Sequence, residues 1–383
     1  MRVLLISHTC QSATAGQPKA VELARLGIEL CVLVPDRWRD YGRWKHPDEP
    51  PPPPYRFVKG RVMWPWAGPA QFYLHWYPGL GRLLRDFRPD ILDLWEEPWG
   101  LVSAHACWVR RRICPECKIV SETEQNIDKH LPPPFESFRS YTLKNADFVI
   151  GRNREAIEIV RRKGYRGPAQ VIPNAVDPDL FRPLDRAACR EQFGIRGFTA
   201  GYAGRLVEEK GLDDLLDALA QCPAEVNALI VGDGPHRDHL VQRAQELRLD
   251  SRVRFLPAVP FTDLPVFMNA IDVFVLPSRT TRRWKEQFGR VIIEAHACGT
   301  PVIGSDSGAI PEVVGDGGWL VPERNPSALA QALEEAKESG TSQERREAIV
   351  HRAHEHFSWR AVASKYAEIY SGLITGSRGQ DNA

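Results

Sequence analysis

Short, uniformly apolar runs recur along the chain and alternate with segments of helical periodicity. The first half contains RVLLIS, ELCVLVP, DILDLW, KIVSETE and DFVIG, and the second contains FTAGYAG, NALIVGDG, VRFLPAV, DVFVLPS, PVIGSDSG and GWLVP. Runs that are apolar throughout are typical of parallel strands buried on both faces. Their alternation with helices predicts right-handed crossovers and a doubly wound sheet, and there are enough runs for two such sheets.

The alternation is interrupted near the middle of the chain. The stretch VIPNAVDPDLFRPLDR, residues 171–186, contains prolines and a turn before a new strand pattern begins. We therefore predict an α/β protein with two Rossmann-like domains, over residues 1–175 and 176–355, each with a doubly wound parallel sheet. Because open parallel sheets bind ligands at the carboxyl ends of their strands, we expect the two sheets to face a central cleft and the functional residues to follow strands.

An amphipathic helix is predicted at the end of the chain, over residues 356–375. In FSWRAVASKYAEIYSGLI, Trp359, Val362, Tyr366 and Ile369 recur at helical spacing. This apolar face predicts packing against the rest of the protein, and we expect the helix to cross back to the N-terminal domain.

Composition and charge argue against a nucleic-acid-binding, secreted or membrane-spanning protein. The 383 residues carry a formal net charge of +1, so no global charge favours nucleic acid as a partner. The first residues, MRVLLISHTC, are typical of a first strand rather than a signal peptide. No apolar run approaches the ~20 residues that a membrane-spanning helix needs. We therefore expect a cytoplasmic protein.

The eight cysteines are scattered and do not form the pattern of a secreted disulfide framework. Cys114 and Cys117, in CPEC, have the spacing of a zinc or redox pair. A lone pair of this kind is a weak signal, and a turn between a helix and a strand explains it as well. We favour the turn and expect no metal or redox role.

The stretch RRWKEQFGRVIIEAHACGTPV, residues 282–302, places Glu286 and Glu294 on either side of a glycine break. The run that follows Gly289 predicts a helix, and the N-terminus of a helix favours anions through its free N–H groups and its dipole. Glu294 lies about 7.5 Å further along the helix axis, which is the scale of a ribose beside its phosphates. The pattern predicts a diphosphate at the helix start, a ribose diol on Glu294, and Glu286 facing the group beyond the phosphates.

The alternative is that Glu286 lies in a solvated loop and Glu294 lies on an exposed helix surface. The apolar residues around Glu294 argue against this alternative, because a buried carboxylate needs a partner.

A second stretch, AGRLVEEKGLDDLLDAL, places Arg205 and Lys210 after a strand and before a helix. An arginine fork and a lysine point charge suit a diphosphate, although surface cations are common and the signal is weak by itself.

Two common nucleotide-binding fingerprints are missing from the sequence. The first strand is followed by SHTCQSATAG rather than GxGxxG, which argues against a nicotinamide or flavin dinucleotide. No GxxxxGK[ST] motif occurs, which argues against a P-loop enzyme.

The longer stretch PSRTTRRWKEQFGRVIIEAHACGTPVIGSDSGAIPEVVGDGG resembles the signature of family 4 glycosyltransferases, which are retaining, nucleotide-sugar-dependent enzymes of the GT-B fold. AGRLVEEKG and VIPNAVDPDLFRP are similar to two further motifs of that family, and FSWRAVASKYAEIY resembles its crossing C-terminal helix. The resemblance is strong over residues 171–375 and weak over residues 1–90.

The resemblance implies a role for each matching residue of the C-terminal domain. Arg205 and Lys210 would bind the donor diphosphate in place of a metal ion, so no cofactor and no metal are expected. Glu294 would bind the ribose, and Glu286 would contact the transferred sugar. The remaining donor contacts would come from Gly204, Gln287, Phe288 and Gly289.

The acceptor is expected on the N-terminal domain, among residues that follow strands: Glu96, Glu97, Trp99, Glu124, Gln125 and Asn126. The alternative is that these six residues only pack between the two domains and bind no acceptor. The chain also departs from the family here, because it lacks the Gly-Gly loop after the first strand. Where many relatives carry a histidine it has SETEQNID, and the loop from Ser278 to Glu286 is longer and more basic than usual.

The resemblance implies that the protein transfers a hexose from a nucleoside-diphosphate sugar to a hydroxyl of an acceptor. The most expected donors are UDP- and GDP-sugars, and the acceptor would be a glycan, a lipid-linked molecule or a small molecule. The expected pathway is bacterial polysaccharide or glycoconjugate synthesis. The alternatives are an epimerase or phosphorylase of the same fold, or a non-catalytic nucleotide-sugar binding protein. The stretch VMWPWAGPAQFYLHWYPGLGRLLRDFR, with Arg82, Arg85 and Arg88, predicts either peripheral membrane contact or a core helix with a basic edge.

Overall fold

The computed structural model describes residues 1–40, 43–49, 53–64, 70–339 and 342–378. These residues form two compact units. Unit 1 consists of Met1–Pro173 together with the C-terminal helix that begins at Trp359, and unit 2 consists of Asn174–Ser358.

The strands, in chain order, are β1 (Arg2–Ile6), β2 (Glu29–Pro35), β3 (Trp38–Asp40), β4 (Arg43–Lys45), β5 (Arg56–Gly60), β6 (Ile91–Leu94), β7 (Lys118–Thr123), β8 (Phe148–Gly151), β9 (Ala169–Val171), β10 (Thr199–Ala203), β11 (Asn227–Val231), β12 (Val253–Leu256), β13 (Val273–Leu276), β14 (Val302–Ser305) and β15 (Gly318–Val321).

The helices are α1 (Gln17–Arg25), α2 (Gln71–Leu74), α3 (Leu80–Phe87), α4 (Leu101–Ile113), α5 (Phe135–Asn145), α6 (Arg154–Arg162), α7 (Arg186–Phe193), α8 (Leu212–Gln221), α9 (Arg237–Glu246), α10 (Leu264–Ala270), α11 (Arg290–Ala297), α12 (Ile310–Val314), α13 (Pro326–Glu338), α14 (Gln343–Phe357) and α15 (Trp359–Arg378).

Each unit is built on one parallel sheet. In the described part of unit 1 the strand order is β5-β2-β1-β6-β7-β8-β9, and a separate antiparallel hairpin pairs β3 with β4. In unit 2 the order is β12-β11-β10-β13-β14-β15. In both sheets the order reverses beside the first strand of the unit, which is the doubly wound arrangement of a Rossmann-like domain. The predicted fold class is therefore confirmed.

The apolar runs form the centre of each sheet, as their pattern predicts. All four residues of β13 are buried, as are all four of β6. Strands that are apolar on both faces require a helix layer on each side, since each face must be removed from water. The clusters of buried apolar side chains in the two units are separate, so each unit has a core of its own.

Helix α15 belongs to unit 1. Its residues Trp359, Val362, Tyr366 and Ile369 are buried, which matches the helical spacing seen in the sequence, and it packs on α1. Cys114 and Cys117 lie in the turn between α4 and β7, where the N–H of Cys117 donates to the carbonyl of Cys114 at 3.0 Å. The pair therefore lies in a turn between a helix and a strand, as the sequence predicts.

Candidate active site

The carboxyl ends of β10 and β13 meet at the point where the strand order of the unit 2 sheet reverses. Gly204 and Arg205 follow β10 directly, and Ser278 lies two residues beyond the end of β13. A short 3₁₀ turn, Glu208–Lys210, then leads into α8. Gly211 has a φ of +66°, and a Cβ there would lie 2.0 Å from the carbonyl oxygen of Pro277. Only glycine permits this approach, which brings the segment carrying Lys210 against the end of β13.

Lys210 and Glu286 are in direct contact. The Lys210 Nζ lies 2.6 Å from Glu286 Oε2, and Ser278 Oγ donates a hydrogen bond to the same oxygen at 3.2 Å. Trp284 covers the ammonium group, with its ring centroid 4.8 Å from Nζ. Two of the three residues predicted to be catalytic are therefore brought together, and the buried carboxylate of Glu286 holds the lysine in one orientation.

Arg205 is exposed at the same edge of the sheet. Its backbone is held by the Tyr202 hydroxyl, which donates to the Arg205 carbonyl at 2.8 Å. Over the ranges that the structure describes, its guanidinium enters no ion pair with a protein carboxylate. An anchored backbone with an uncommitted guanidinium is suited to binding an external anion in a bidentate manner.

Helix α11 begins directly after Gly289, whose φ of +79° lies in the left-handed region. Phe288 beside it is buried, whereas Gln287 is exposed. The N–H of Ala309 donates to the carbonyl of Glu286 at 3.1 Å, which fixes the chain just before the helix. In the first turn of α11 the N–H of Ile292 donates to the carbonyl of Gly289 at 2.8 Å, and the residues before it have no acceptor within the helix, as at any helix N-terminus.

Glu294 is 5% exposed and lies in the middle of α11. Burial raises the pKa of its carboxyl to about 7, and Arg290 opposes this shift. Within the described part of the chain, no protein donor forms a hydrogen bond to this carboxylate. A buried carboxylate without a protein donor is costly, and its oxygens can accept hydrogen bonds from a ligand that supplies hydroxyl donors.

The raised pKa of Glu294 predicts that the ligand-free protein is less stable at higher pH. An unfolded glutamate titrates near pH 4.3, so the folded state binds the proton more tightly, and the stability from protonated Glu294 is lost as the pH rises from about 4 to 7. Glu294→Gln is therefore expected to raise the free energy of unfolding by about 1–3 kcal/mol at about pH 8, and much less at about pH 5. Thermal unfolding without ligand measures this difference.

A control for this experiment is Glu191→Gln, which alters an exposed glutamate of α7 in the same unit. It should leave the stability unchanged at either pH. If Glu294→Gln stabilised the protein equally at both pH values, the stabilisation would not come from removing an ionised carboxylate.

The basic loop between Ser278 and Glu286 is fastened to unit 2 at its first residue. Arg279 makes a bidentate ion pair with Asp214, with nitrogen–oxygen distances of 2.8 and 2.5 Å. The N–H of the next residue, Thr280, donates to Glu323 at 2.5 Å. Trp284 and these anchors were not predicted from the sequence, because their partners lie far away along the chain.

In unit 1, the predicted acceptor residues follow β6 and β7, which are neighbours in the sheet. Glu96 is buried, and its carboxylate accepts hydrogen bonds from the N–H of His8 at 2.6 Å and from His8 Nδ1 at 2.7 Å. Burial alone would raise the pKa of Glu96, but His8 and His75 hold it at about 2. Glu96 therefore orients His8, a residue that the sequence analysis did not select.

Glu97 is also engaged with the protein. It accepts from the Thr123 hydroxyl and from the N–H of Glu124, each at 2.7 Å, and burial raises its pKa to about 7. The Glu124 carboxylate lies 3.4 Å from Arg152 Nε. Together with His8 and Glu96, the residues Glu97, Thr123 and Glu124 line a cavity of about 150 Å³.

The other three predicted acceptor residues lie apart from that cavity's lining. Trp99 packs against Tyr73, with ring centroids 4.5 Å apart. Gln125 accepts from the N–H of Ile127 at 3.3 Å, and Asn126 is buried.

A larger cavity of about 450 Å³ adjoins His8. The His8 ring stacks on Trp38 at 5.1 Å, and Phe72 lies at their edges. Lys45, His46 and Asp48 contribute polar groups to the lining. Aromatic faces with polar neighbours are typical of carbohydrate sites. The sequence feature that could have indicated this cavity is His8, two residues after the end of the first strand.

The stretch with a possible membrane role combines buried and exposed parts. Leu80, Leu83, Leu84 and Phe87 of α3 are buried in unit 1, and Arg82 lies 3.7 Å from Asp86 on the same helix. Residues 65–69, with Pro65 and Trp66, lie outside the described residues. Among the helices that are described, none is both long and apolar enough to span a membrane.

Comparison with models of protein families shows which family the chain belongs to. Residues 186–356 match the family Glycosyl transferases group 1, and residues 20–180 match Glycosyltransferase Family 4. The chain belongs to glycosyltransferase family 4. This glycosyltransferase is similar to D-inositol 3-phosphate glycosyltransferases: 38% identical over 244 residues to that of Mycobacterium leprae (strain Br4923), covering 59% of this chain and 55% of the relative.

The corresponding enzyme of Streptomyces avermitilis is 33% identical over 248 residues, covering 60% of this glycosyltransferase and 52% of the relative. The chain thus spans about half the length of the curated relatives it matches.

Solved structures support the same fold over nearly the whole glycosyltransferase. Sucrose-phosphate synthase (tll1590) from Thermosynechococcus elongatus matches with a TM-score of 0.72 and 24% identity, covering 98% of this chain and 100% of that chain. Anabaena Alr3699/HepE in complex with UDP matches with a TM-score of 0.70 and 21% identity, covering 97% and 100%. At such identities the likeness establishes the GT-B fold.

Proposed function

We propose that this glycosyltransferase transfers a hexose from a nucleoside-diphosphate sugar to an acceptor hydroxyl, retains the anomeric configuration and uses no catalytic metal ion. The observation that carries the proposal is the buried carboxylate of Glu294 without a protein donor, on the helix whose N-terminus follows Glu286. Lys210 and the exposed Arg205 lie at the carboxyl end of the same sheet.

Each part of a nucleoside-diphosphate sugar has a matching group in this arrangement. The diphosphate is bound by Arg205, Lys210 and the N–H groups at the start of α11, with Gly204, Gln287, Phe288 and Gly289 beside it. The ribose diol donates to Glu294. A uridine nucleotide is the first donor to test, because solved structures of Anabaena Alr3699/HepE contain UDP and UDP-glucose; GDP is the next.

In the proposed reaction the bond between the sugar C1 and the diphosphate oxygen breaks, and the acceptor oxygen forms its bond to C1 on the same face. The acceptor proton passes to the leaving diphosphate oxygen, so no protein nucleophile is required. Arg205 and Lys210 stabilise the negative charge on the leaving group where it develops. Glu286 holds Lys210 and contacts the transferred sugar.

The acceptor is proposed to bind unit 1, at the cavities beside His8. Glu96, Glu97 and Glu124 shape the smaller cavity, while Trp38 and Phe72 offer aromatic faces to a sugar ring in the larger one. This chemistry suits a glycan, a lipid-linked sugar or a small polyol in bacterial polysaccharide or glycoconjugate synthesis. The expected location is the cytoplasm, with peripheral contact at the inner face of the membrane if the acceptor is lipid-linked.

The donor proposal predicts selective thermal stabilisation by one class of nucleotide sugar. At a donor concentration of a hundred times its dissociation constant, the stabilisation should be about 2.7 kcal/mol. The measurement is thermal unfolding against UDP-, GDP-, ADP- and dTDP-sugars for the wild type, Glu294→Ala and the control Glu191→Ala. The shift should vanish in Glu294→Ala and persist in the control.

A second assay separates transfer from the alternative functions. Nucleoside diphosphate released in proportion to an added hydroxyl acceptor supports a transferase. An isomerised donor without an acceptor would indicate an epimerase, a requirement for inorganic phosphate would indicate a phosphorylase, and a thermal shift without turnover would indicate a binding protein. If no nucleotide sugar stabilises the protein, the proposed donor site is wrong.

A further inference from the structure

Three potential metal ligands converge on the surface of unit 2, at a place that the transfer reaction does not use. Asp213 lies in the first turn of α8, His236 directly precedes α9, and His239 lies in the first turn of α9. His236 Nε2 is 2.8 Å from Asp213 Oδ2, and His239 Nε2 is 2.7 Å from Asp213 Oδ1. One carboxylate therefore meets the Nε2 atoms of both imidazole rings.

The two histidine rings are stacked at the start of α9. His236, the residue before the helix, and His239 are three residues apart, and their ring centroids are 4.4 Å apart with an interplanar angle of 27°. One ligand atom from each of the three residues can be chosen so that all lie within 4.8 Å of one another. Ligands bound at about 2.0–2.1 Å in a tetrahedron are about 3.3 Å apart, so a small rotation of the side chains is sufficient to surround one ion.

We propose that Asp213, His236 and His239 bind one divalent transition-metal ion, of which Zn²⁺ is the most suitable. Two imidazole nitrogens and one carboxylate oxygen form a donor set that zinc accepts, and water completes the tetrahedron. The His239 side chain is 55% exposed, which leaves a path for the ion to enter. Hard ions such as Mg²⁺ are disfavoured, because they prefer oxygen ligands.

The ion would cross-link α8 and α9 beside the segment that carries Arg205 and Lys210. The N–H of His236 donates to the carbonyl of Leu206 at 3.0 Å, and the N–H of Leu206 donates to the carbonyl of Asp233 at 2.9 Å. Asp214, the neighbour of Asp213, anchors Arg279 of the basic loop. The role we assign to the ion is therefore structural, and it is compatible with metal-free sugar transfer.

The test uses the untagged 383-residue chain, freed of metal with a chelator and titrated with Zn²⁺, Co²⁺ and Mg²⁺. We expect one equivalent of Zn²⁺ to bind and Tm to rise by about 5–10 °C at a hundred times the dissociation constant. Co²⁺ should give the intense visible absorption of a tetrahedral site, whereas Mg²⁺ should have no effect.

Three variants identify the ligands: Asp213→Asn, His236→Gln and His239→Gln. Each should weaken Zn²⁺ binding by at least ~10-fold and remove the tetrahedral Co²⁺ spectrum. The control is His351→Gln, since His351 and His354 have the same three-residue spacing on α14. Each variant is compared with and without metal, so lost hydrogen bonds are separated from lost metal binding.

The proposal fails if Zn²⁺ does not raise the Tm of the metal-free wild type. In that case the cluster is only a hydrogen-bonded aspartate with two histidines. It also fails if His351→Gln reduces binding as much as His239→Gln does, because the ion would then bind elsewhere.

Discussion

Lys210→Ala is expected to lower the kcat of sugar transfer by about 10²–10³-fold, the usual effect of removing one group that stabilises charge in the transition state. Lys210 is held by Glu286 at 2.6 Å and covered by Trp284, so its charge is placed before the reaction begins. Removing it takes the Lys210 cation away from both the buried Glu286 carboxylate and a leaving group that is itself negative. The measurement is the release of nucleoside diphosphate at saturating donor and acceptor.

Arg205→Ala should produce a loss of similar size, because both cations act on the same diphosphate. The double variant should lose less than the product of the two single losses, since groups that act as a unit are not additive. The matched control is Arg196→Ala, which removes an exposed arginine that precedes β10 and so lies at the opposite edge of the sheet. Near-normal turnover by Lys210→Ala, or an equal loss in the control, would contradict the assignment.

Lys19→Met is expected to destabilise unit 1 by about 3–5 kcal/mol, because it breaks a fully buried ion-pair network. Lys19 Nζ lies 3.0 Å from Asp93 Oδ2 and 2.6 Å from Glu122 Oε1, and all three side chains are buried. Although burial disfavours its charge, Asp93 and Glu122 raise the pKa of Lys19 above its ordinary value, so it is charged in the fold. Methionine fills a similar volume but removes the cation that Asp93 and Glu122 share.

The same network fastens the C-terminal helix to unit 1. Tyr366 donates to Glu122 at 2.8 Å and Tyr370 donates to Asp93 at 2.6 Å, both from α15, while Arg152 pairs with Glu122. Losing Lys19 therefore weakens β6, β7, α1 and α15 at once.

Calorimetry of the wild type and Lys19→Met measures the effect. The transition of unit 1 should fall by about 6–20 °C, given the change of about 2–4 °C per kcal/mol expected for a unit of this size. Lys144→Met, which changes an exposed lysine of α5, is the control and should stay within about 0.5 kcal/mol of the wild type. A loss in Lys19→Met no larger than in Lys144→Met would mean that the network contributes no net stability.

Local pattern was sufficient for most of the fold and for the start of α11 and the burial of Glu294 within it. Uniform apolar runs such as the one in β13 specify strands buried on both faces, whatever the rest of the chain does. The sequence around Gly289 and Glu294 predicts the helix start and the buried carboxylate, because both depend on residues within a few positions of each other. The spacing of Trp359, Val362, Tyr366 and Ile369 likewise predicts the buried face of α15.

Contacts between residues that are far apart along the chain could not be predicted from local sequence patterns. Lys19 lies in a segment that is typical of a solvated helix surface, and its partners are 74 and 103 residues away along the chain. Glu96 was selected as an acceptor residue, but the structure shows it holding His8, which is 88 residues distant. The Asp213–His236–His239 cluster gives no recognisable ligand spacing in the sequence, since Asp213 is contributed by a different helix.

The sequence by itself therefore determined eleven of the fifteen strands in the described residues, the two doubly wound sheets that they form, and the residues that follow β10 and precede α11. It did not indicate β3, β4, β5 or β9. The features that it determined depend on periodicity and on glycine, both of which act over a few residues. Only the tertiary structure decided which charges are buried together, which cations stay uncommitted and which side chains line the cavities of unit 1. Those properties depend on groups that chain topology brings together from distant positions, where burial sets the strength of each electrostatic contact.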